Sequence, residues 1–319
     1  MPVRFTTPSL GGQGELQTGD FVAHQWRTEL GYRHLHADQG YVGTQMVATD
    51  KPLIIDVNSI DLTTRYAFTS RLSLGLTIPF VSGMQSRYYG DSLRHGVTAS
   101  GVGDVSVLGS MWLREPHGHA WNAALGVGVK LPTGAHAATD NYFLSSGQAI
   151  RYPVDQSIQP GDGGWGYIVQ VQTFVTAFHN AVAYLSGSYL INPRKLSDVP
   201  KDPGSNVFWS VPDVYSSRAG LAFAFWPNLG MSANLGARID GQPVRDLIGG
   251  GDTGFRRPGY SVAIDPGLAL TVGPNEITVS APLRVAADRQ ASVYDRSIGK
   301  HGGGDFASSL IFVGYSVRY

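Results

Sequence analysis

The chain contains no cysteine. That excludes disulfide scaffolds, thiolate zinc sites and cysteine nucleophiles, and it is compatible with an oxidising compartment. Charge is scarce: Asp, Glu, Lys and Arg make up 15% of the 319 residues, against about 25% in an average soluble protein. The charge present balances to +0, so there is no bulk electrostatic case for nucleic acid as a partner. Long apolar runs are missing too. No stretch reaches the roughly 18 consecutive apolar residues of a membrane-spanning helix, and the mean hydropathy is -0.07. A charge-poor chain with 41 glycines and 11% aromatics that lacks such runs must hide its apolar residues singly, between polar ones. A membrane β-barrel does that.

The alternation is visible directly. In "GYIVQVQTFVTAF" (166–178), Tyr167, Val169, Val171, Val175 and Ala177 fall on one side and Gln170, Gln172 and Thr176 on the other. A period of two marks a β-strand, because successive side chains point to opposite faces. The same pattern sets Leu72, Leu74, Leu76, Ile78 and Phe80 against Arg71, Ser73 and Thr77. It sets Trp121, Leu125, Val127 and Val129 against Asn122, Gly126, Gly128 and Lys130. Leu229, Met231, Leu235 and Ile239 oppose Ser232, Asn234, Arg238 and Asp240, and Ile277, Val279, Leu283 and Val285 oppose Thr278, Ser280 and Arg284.

About twelve such segments recur, near 20–35, 54–69, 71–85, 102–115, 120–132, 164–178, 180–192, 212–226, 229–240, 259–273, 275–287 and 304–319. Each has the ~10-residue length of a tilted membrane strand. Short connections ("TSR", "EPHGH", "FHN", "WPN", "GPN") alternate with long ones at 36–53, 86–101, 133–163, 193–211, 241–258 and 288–303. Short periplasmic turns and long extracellular loops are the outer-membrane pattern. Tyr66, Phe68, Phe80, Trp112, Trp121, Tyr189, Phe225, Trp226 and Tyr260 gather near strand ends, where aromatic girdles sit. The chain stops on an alternating strand ending in Tyr319. The expected fold is all-β: a transmembrane antiparallel barrel at 19–319, preceded by a periplasmic segment at 1–18. Lipid offers the backbone no hydrogen-bond partner, so the strands must close into a ring, with the greasy faces toward lipid and the glutamines toward a hydrated interior. The start has no basic n-region and apolar h-region; with export required, a mature or engineered start is expected.

The alternation puts Arg27, Arg33, Arg65, Lys130, Arg218, Arg238, Arg284, Arg318, Glu29, Asp61, Asp104, Asp265 and Glu276 inside. Of these, Arg27, Arg65, Asp104, Lys130, Arg218, Arg238, Asp265 and Arg284, with Gln170 and Gln172, are the expected lining of a pore. Mixed signs argue against an ion selector and favour paired networks that stiffen the wall. The loop 133–163 carries Tyr142, Phe143, Leu144, Ile150, Tyr152 and Ile158 among polar residues. A loop that long is usually functional or disordered, so it is expected to narrow the barrel mouth through Tyr142, Phe143, Leu144 and Tyr152.

The stretch "GVGDVSVLGSMWLREPHGHAWNAALGVGVKLPTG" (101–134) resembles the outer-membrane family named for the meta-pathway of phenol degradation. Gly101, Gly103 and Asp104 match its GxGD element, and Lys130, Leu131, Pro132, Thr133 and Gly134 match its GxxLPTG strand end. The resemblance covers one hairpin closely and the rest only in periodicity and length. It implies a small channel for uptake of small hydrophobic or aromatic molecules, without catalysis. The motif glycines themselves read as structural, permitting close approach or bending at the wall.

Catalytic and metal chemistry finds little support. There is no G-x-S-x-G, and no His-x-Ser arrangement. His34 with His36, and His117 with His119, are His-x-His pairs without further ligands. "GGGDTG" (249–254) and "GGGD" (302–305) join no strand to a helix and read as turns. No cofactor or metal is expected. The expectation is a monomeric diffusion channel in the outer membrane of a Gram-negative bacterium, with a small-molecule substrate and membrane lipid as partners. A channel for polar solutes such as nucleosides or oligosaccharides, and an outer-membrane lipid hydrolase, stay open as alternatives.

Overall fold

The computed structural model describes residues 22–115, 118–178, 180–249 and 253–319. The segment 1–18, His117 and the centre of the 249–254 glycine run lie outside these residues. The strands form a closed antiparallel ring of 12. In chain order they are β1 (Trp26–Ala37), β2 (Ile54–Ala67), β3 (Leu72–Tyr88), β4 (Arg94–Val102 with Ser106–Trp112), β5 (Trp121–Lys130) and β6 (Gly166–Phe178). There follow β7 (Ala181–Ile191), β8 (Val214–Trp226), β9 (Met231–Gln242), β10 (Gly259–Ile264 with Gly267–Val272), β11 (Asn275–Ser280 with Leu283–Arg289) and β12 (Ser309–Arg318). Each pairs with its sequence neighbours, and β12 closes on β1 from Arg27↔Arg318 to His36↔Ser309. Closure leaves no sheet edge to face lipid.

The wall is inverted relative to a soluble sandwich. Leu72, Leu74, Leu76, Ile78 and Phe80 are all exposed outward, while Ser73 is buried inside. Leu125, Val127, Tyr167, Val169, Val171, Leu221, Leu235, Leu268, Ile277, Val279 and Val313 continue the outward belt. Tyr66 meets Trp26 and Phe68 at the end where the short turns lie, with ring centroids 4.8 and 5.0 Å away. No helix among the described residues is long and apolar enough to cross a membrane; the strands provide the crossing.

Three expectations are corrected. First, 86–101 is not a long loop. β3 has 17 residues and β4 reaches up to Arg94, joined by 89–93. At about 3.3 Å per residue this hairpin exceeds a belt about 25 Å tall and projects beyond it. Most of its upper outward positions, Ser82, Ser86, Gly96, Thr98 and Ser100, are accordingly polar or small, with Met84 and Tyr88 as exceptions. Second, the first strand begins at Trp26 rather than near residue 20. Third, Trp112 faces inward, packed edge-on against Phe174 at 5.8 Å, and belongs to no girdle. The reason is a β-bulge: Gly101 pairs with Val81 and Ser106 with Thr77, so β4 uses one residue more than β3 between these pairs. The extra residue shifts every side chain below it to the other face.

Candidate functional site: the barrel interior and its loop clasp

The interior is filled by layers. At the upper end, Leu35, Ala37, Ile55, Val57, Val81, Val97 and Ala99 of β1–β4 enclose Val154 and Ile158 from the 131–165 loop. Ile158 is 0% exposed, and a Cβ on Gly83 would lie 2.7 Å from its own Cβ. Gly83 is the recess that receives it. Gln159, also buried, clamps the segment by accepting the Ala138 amide (2.8 Å) and donating to the carbonyls of Ala138 and Val154 (3.0 Å each).

The loop is fixed by a clasp assembled from the two sequence motifs and a third segment. The Thr133 hydroxyl donates to Gly103 O (3.0 Å) and accepts from Val105 N (2.9 Å). One Asp104 oxygen accepts Gly134 N (3.0 Å), and the other accepts Asp162 N (3.2 Å) and Lys130 Nζ (3.3 Å). Lys130 also pairs with the Asp162 carboxylate, which accepts Gly164 N (2.9 Å). Gly134 and Gly161 face each other so closely that a Cβ on Gly161 would sit 2.7 Å from the Gly134 carbonyl carbon. Asp104 and Lys130 therefore close the base of the loop. They do not line an open pore, because all three charged groups are consumed by one another and by backbone amides.

Tyr142, Phe143, Leu144 and Tyr152 are placed elsewhere. They sit on a hairpin, Thr139–Phe143 with Ala149–Pro153, that docks on the projecting tip of β3 and β4. Phe143 stacks on His95 at 3.6 Å and meets Tyr89 at 5.5 Å; Tyr142 contacts Tyr89 and Tyr152. The residues that enter the barrel are 154–162. Sequence reading favoured the larger aromatic side chains, but these cover the rim because the hairpin is held outside by the tip it packs against. Within the entering segment, Asp155 pairs with Arg257 at 3.5 Å. Burial opposes its ionisation, yet Arg257 and the Ser157 amide and hydroxyl outweigh burial and hold the carboxyl below its ordinary value.

Below the clasp, the lumen has two unlike walls. β8 to β12, β1 and β2 carry the charges, and these are paired: Arg27 with Glu276 (3.0 Å), Arg33 with Asp61 (3.6 Å), Arg238 with Asp240 (2.6 Å), and Arg218 with Asp265. Arg65 shares this wall, one strand from Arg27 in the same row. Arg238 also reaches across to lie over Phe312 of β12, 4.8 Å from its ring centroid. Arg284 is at the upper end, bonded to Ala307 O (2.6 Å) and Gln39 and stacked on Tyr41, so it ties loops together. The inner faces of β3 to β7 carry no charged side chain between the clasp and the short-turn end. Row by row they read Ser110, Gly126, Gln170 and Ser188, then Trp112, Ala124, Gln172 and Ser186. Apolar clusters flank them: Ile168, Leu190 and Val214 with Leu108 above, and Trp112, Ala124, Phe174, Val182, Tyr184 and Ala222 below.

Nothing local in the sequence pairs Asp162 and Gly161 of "QPGDGG" with the motifs. Trp112 is assigned to the wrong face by alternation alone, since one bulge reverses it. His34 and His36 point outward and bond Asn58 (3.0 Å) and Asp56 (2.6 Å). Among the described residues no group of three or more His, Cys, Asp or Glu is arranged to hold a metal.

Neither a family model nor a curated protein matches the sequence. Among solved structures, the chain is similar to an outer-membrane channel from Pseudomonas putida F1, with a TM-score of 0.63 at 16% identity, covering 94% of this chain and 98% of that one. That likeness establishes the barrel fold. Fainter likenesses are the β domain of the Bordetella autotransporter BrkA (TM-score 0.45, 12% identity, 92% and 100% covered) and the P. putida toluene transporter TodX (0.44, 9%, 93% and 90%).

Proposed function

We propose that this chain is an outer-membrane diffusion channel that takes up small hydrophobic or aromatic molecules, acting as a monomer and without catalysis. The observation that carries this reading is the uncharged inner wall of β3 to β7, with apolar clusters at both ends and a loop packed into its upper part. A polar solute would have to shed its water against Leu, Ile, Phe and Trp, whereas burial of an apolar ring is favourable at about 25 cal/mol per Å². The resemblance of 101–134 to the phenol-degradation outer-membrane family supports the same substrate class. So does the deposit of charge on the opposite wall in closed pairs, which keeps that wall rigid and out of the route.

The test is uptake of N-phenyl-1-naphthylamine, an uncharged aromatic probe excluded by an intact outer membrane. Cells whose outer membrane carries the chain should take it up faster than cells with the empty vector, while uptake of maltotriose or a nucleoside stays unchanged. Faster sugar or nucleoside entry, with no effect on the aromatic probe, would overturn the reading in favour of a polar-solute channel.

A further inference from the structure

Two hydroxyls on the uncharged wall have no partner. Ser186 and Ser188 are 2% and 6% exposed, and the Oγ atoms of both lack any hydrogen-bond partner. Both face the lumen, since they pair across the inner rows with Gln172 and Gln170 on β6. Their neighbours on β8 are satisfied differently: Ser216 donates to Asp240 (2.7 Å), and Arg218 pairs with Asp265. A buried polar group left unpaired is rare in native proteins and costs stability. These two sit side by side with the amides of Gln170 and Gln172, between the apolar cluster of Ile168, Leu190 and Val214 and the aromatic one of Trp112, Phe174 and Tyr184. The strip itself carries no charge, and the charge beside it, Arg218 on β8, is already paired with Asp265.

We propose that Ser186 and Ser188, with Gln170 and Gln172, form a binding station for uncharged ring compounds that carry one hydroxyl. The ring lies against the apolar clusters and the hydroxyl completes the bonds that the serines lack. The proposal rests on the uptake reading and narrows its substrate class. A site built to hydrogen-bond a ligand hydroxyl discriminates against the analogue without it, because the protein groups are then left unpaired. An ionised ligand is disfavoured, since the adjacent Arg218 is already neutralised by Asp265 and no free counter-charge replaces the ligand's hydration. The serines are thus specificity-determining, and they are not needed to build the barrel.

The experiment titrates the chain in lipid nanodiscs with 4-fluorobenzyl alcohol and its hydrocarbon isostere 4-fluoroethylbenzene, followed by fluorine NMR with empty nanodiscs subtracted. The parent should prefer the alcohol by on the order of fivefold, the worth of one ordinary hydrogen bond. In S186A/S188A that preference should vanish while affinity for the hydrocarbon is kept. The same variant should unfold in urea no earlier than the parent, because it loses two unpaired hydroxyls and no bond. Equal affinity for both ligands in the parent, unchanged in the variant, would overturn the station and leave the uptake reading intact. Failure of either ligand to bind above the nanodisc background would overturn the uptake reading itself.

Discussion

Replacing Lys130 by methionine removes the one cation of the clasp and leaves its two carboxylates facing each other. Asp104 and Asp162 are both more than nine-tenths buried as side chains and both contact Lys130. Breaking a buried ion pair by removing one partner costs about 3–5 kcal/mol, because the remaining charge is desolvated and uncompensated. The barrel as a whole does not depend on this contact: the ladder from Ser106↔Lys130 to Trp112↔Ala124 is made by backbone groups that methionine keeps. The loss therefore falls on the loop base. It raises the population with 154–162 detached by roughly 10² to 10³·⁵-fold. Lys130→Met should show faster amide exchange at 154–162 and larger, noisier conductance in planar bilayers, with the heat-dependent gel mobility of the folded barrel unchanged. Adding Asp162→Asn removes one of the two orphaned charges, so the double variant should be milder than Lys130→Met alone, a non-additivity expected of direct partners. If K130M leaves both exchange and conductance as in the parent, the clasp does not hold the loop and the reasoning fails.

Three further outcomes follow from the geometry. Gly83→Ala places a Cβ 2.7 Å from that of Ile158 and should loosen the loop by about 1–3 kcal/mol of overpacking, seen as faster exchange at 156–160; Ile158→Ala should rescue it. Leu76→Arg, on the outward face, should cost about 2–4 kcal/mol if it lies at the bilayer midplane, lowering the urea midpoint in liposomes, whereas Ser82→Arg above the belt should be nearly neutral. The third concerns pH. The folded-state value of Asp155 lies below its ordinary one, so its contribution is complete above the ordinary carboxylate range and is lost as pH falls through the depressed value. Conductance should rise on acidification in the parent, and Asp155→Asn should already be raised at neutral pH with a flatter response; a parallel pH response in both would exclude this contact as the cause.

The ring of strands was legible because lipid imposes one rule on every segment it touches. Outward apolar and inward small or polar residues repeat from Leu72 to Phe80 and from Tyr167 to Val175, with Thr173 outward and Ile168 and Phe174 inward as the exceptions. The rule lapses where the solvent changes. Above Phe80 and Val102 the outside of the hairpin meets water and its inside meets the loop, so Val81, Val97 and Ala99 are the buried positions there. Alternation persists with its polarity reversed, and 86–101 reads as loop. The clasp was half legible. Glycine, aspartate and threonine at the motif positions announced a close approach, but which segment approaches is a contact between Asp104 and Asp162, 58 residues apart, and no local period encodes that. Trp112 failed for a third reason: its face depends on a single inserted residue that leaves the run of β-forming residues intact.

The bulge also explains why the motif lies where it does. Tyr32, Ile60, Phe80 and Val102 form one outward row across β1 to β4, and the next row up is His34, Asn58, Ser82 and Ser100. The change from apolar to polar marks the outer edge of the hydrocarbon on this side of the barrel. Gly103 and Asp104 come immediately after Val102, at that edge. A strand running straight through would keep one face inward, and its upper half would need the same residue pattern as its lower half. Inserting one residue at the boundary lets the lower segment, Ser106 to Trp112, face lipid with Val107, Gly109 and Met111 while the upper segment packs Val97 and Ala99 against the loop. It also turns Asp104 inward to meet Lys130 and Asp162. Fixing the loop at the level where lipid ends sets its buried segment at the upper end of the barrel, above the uncharged wall, so in the proposed channel a movement of the loop would alter access to that wall.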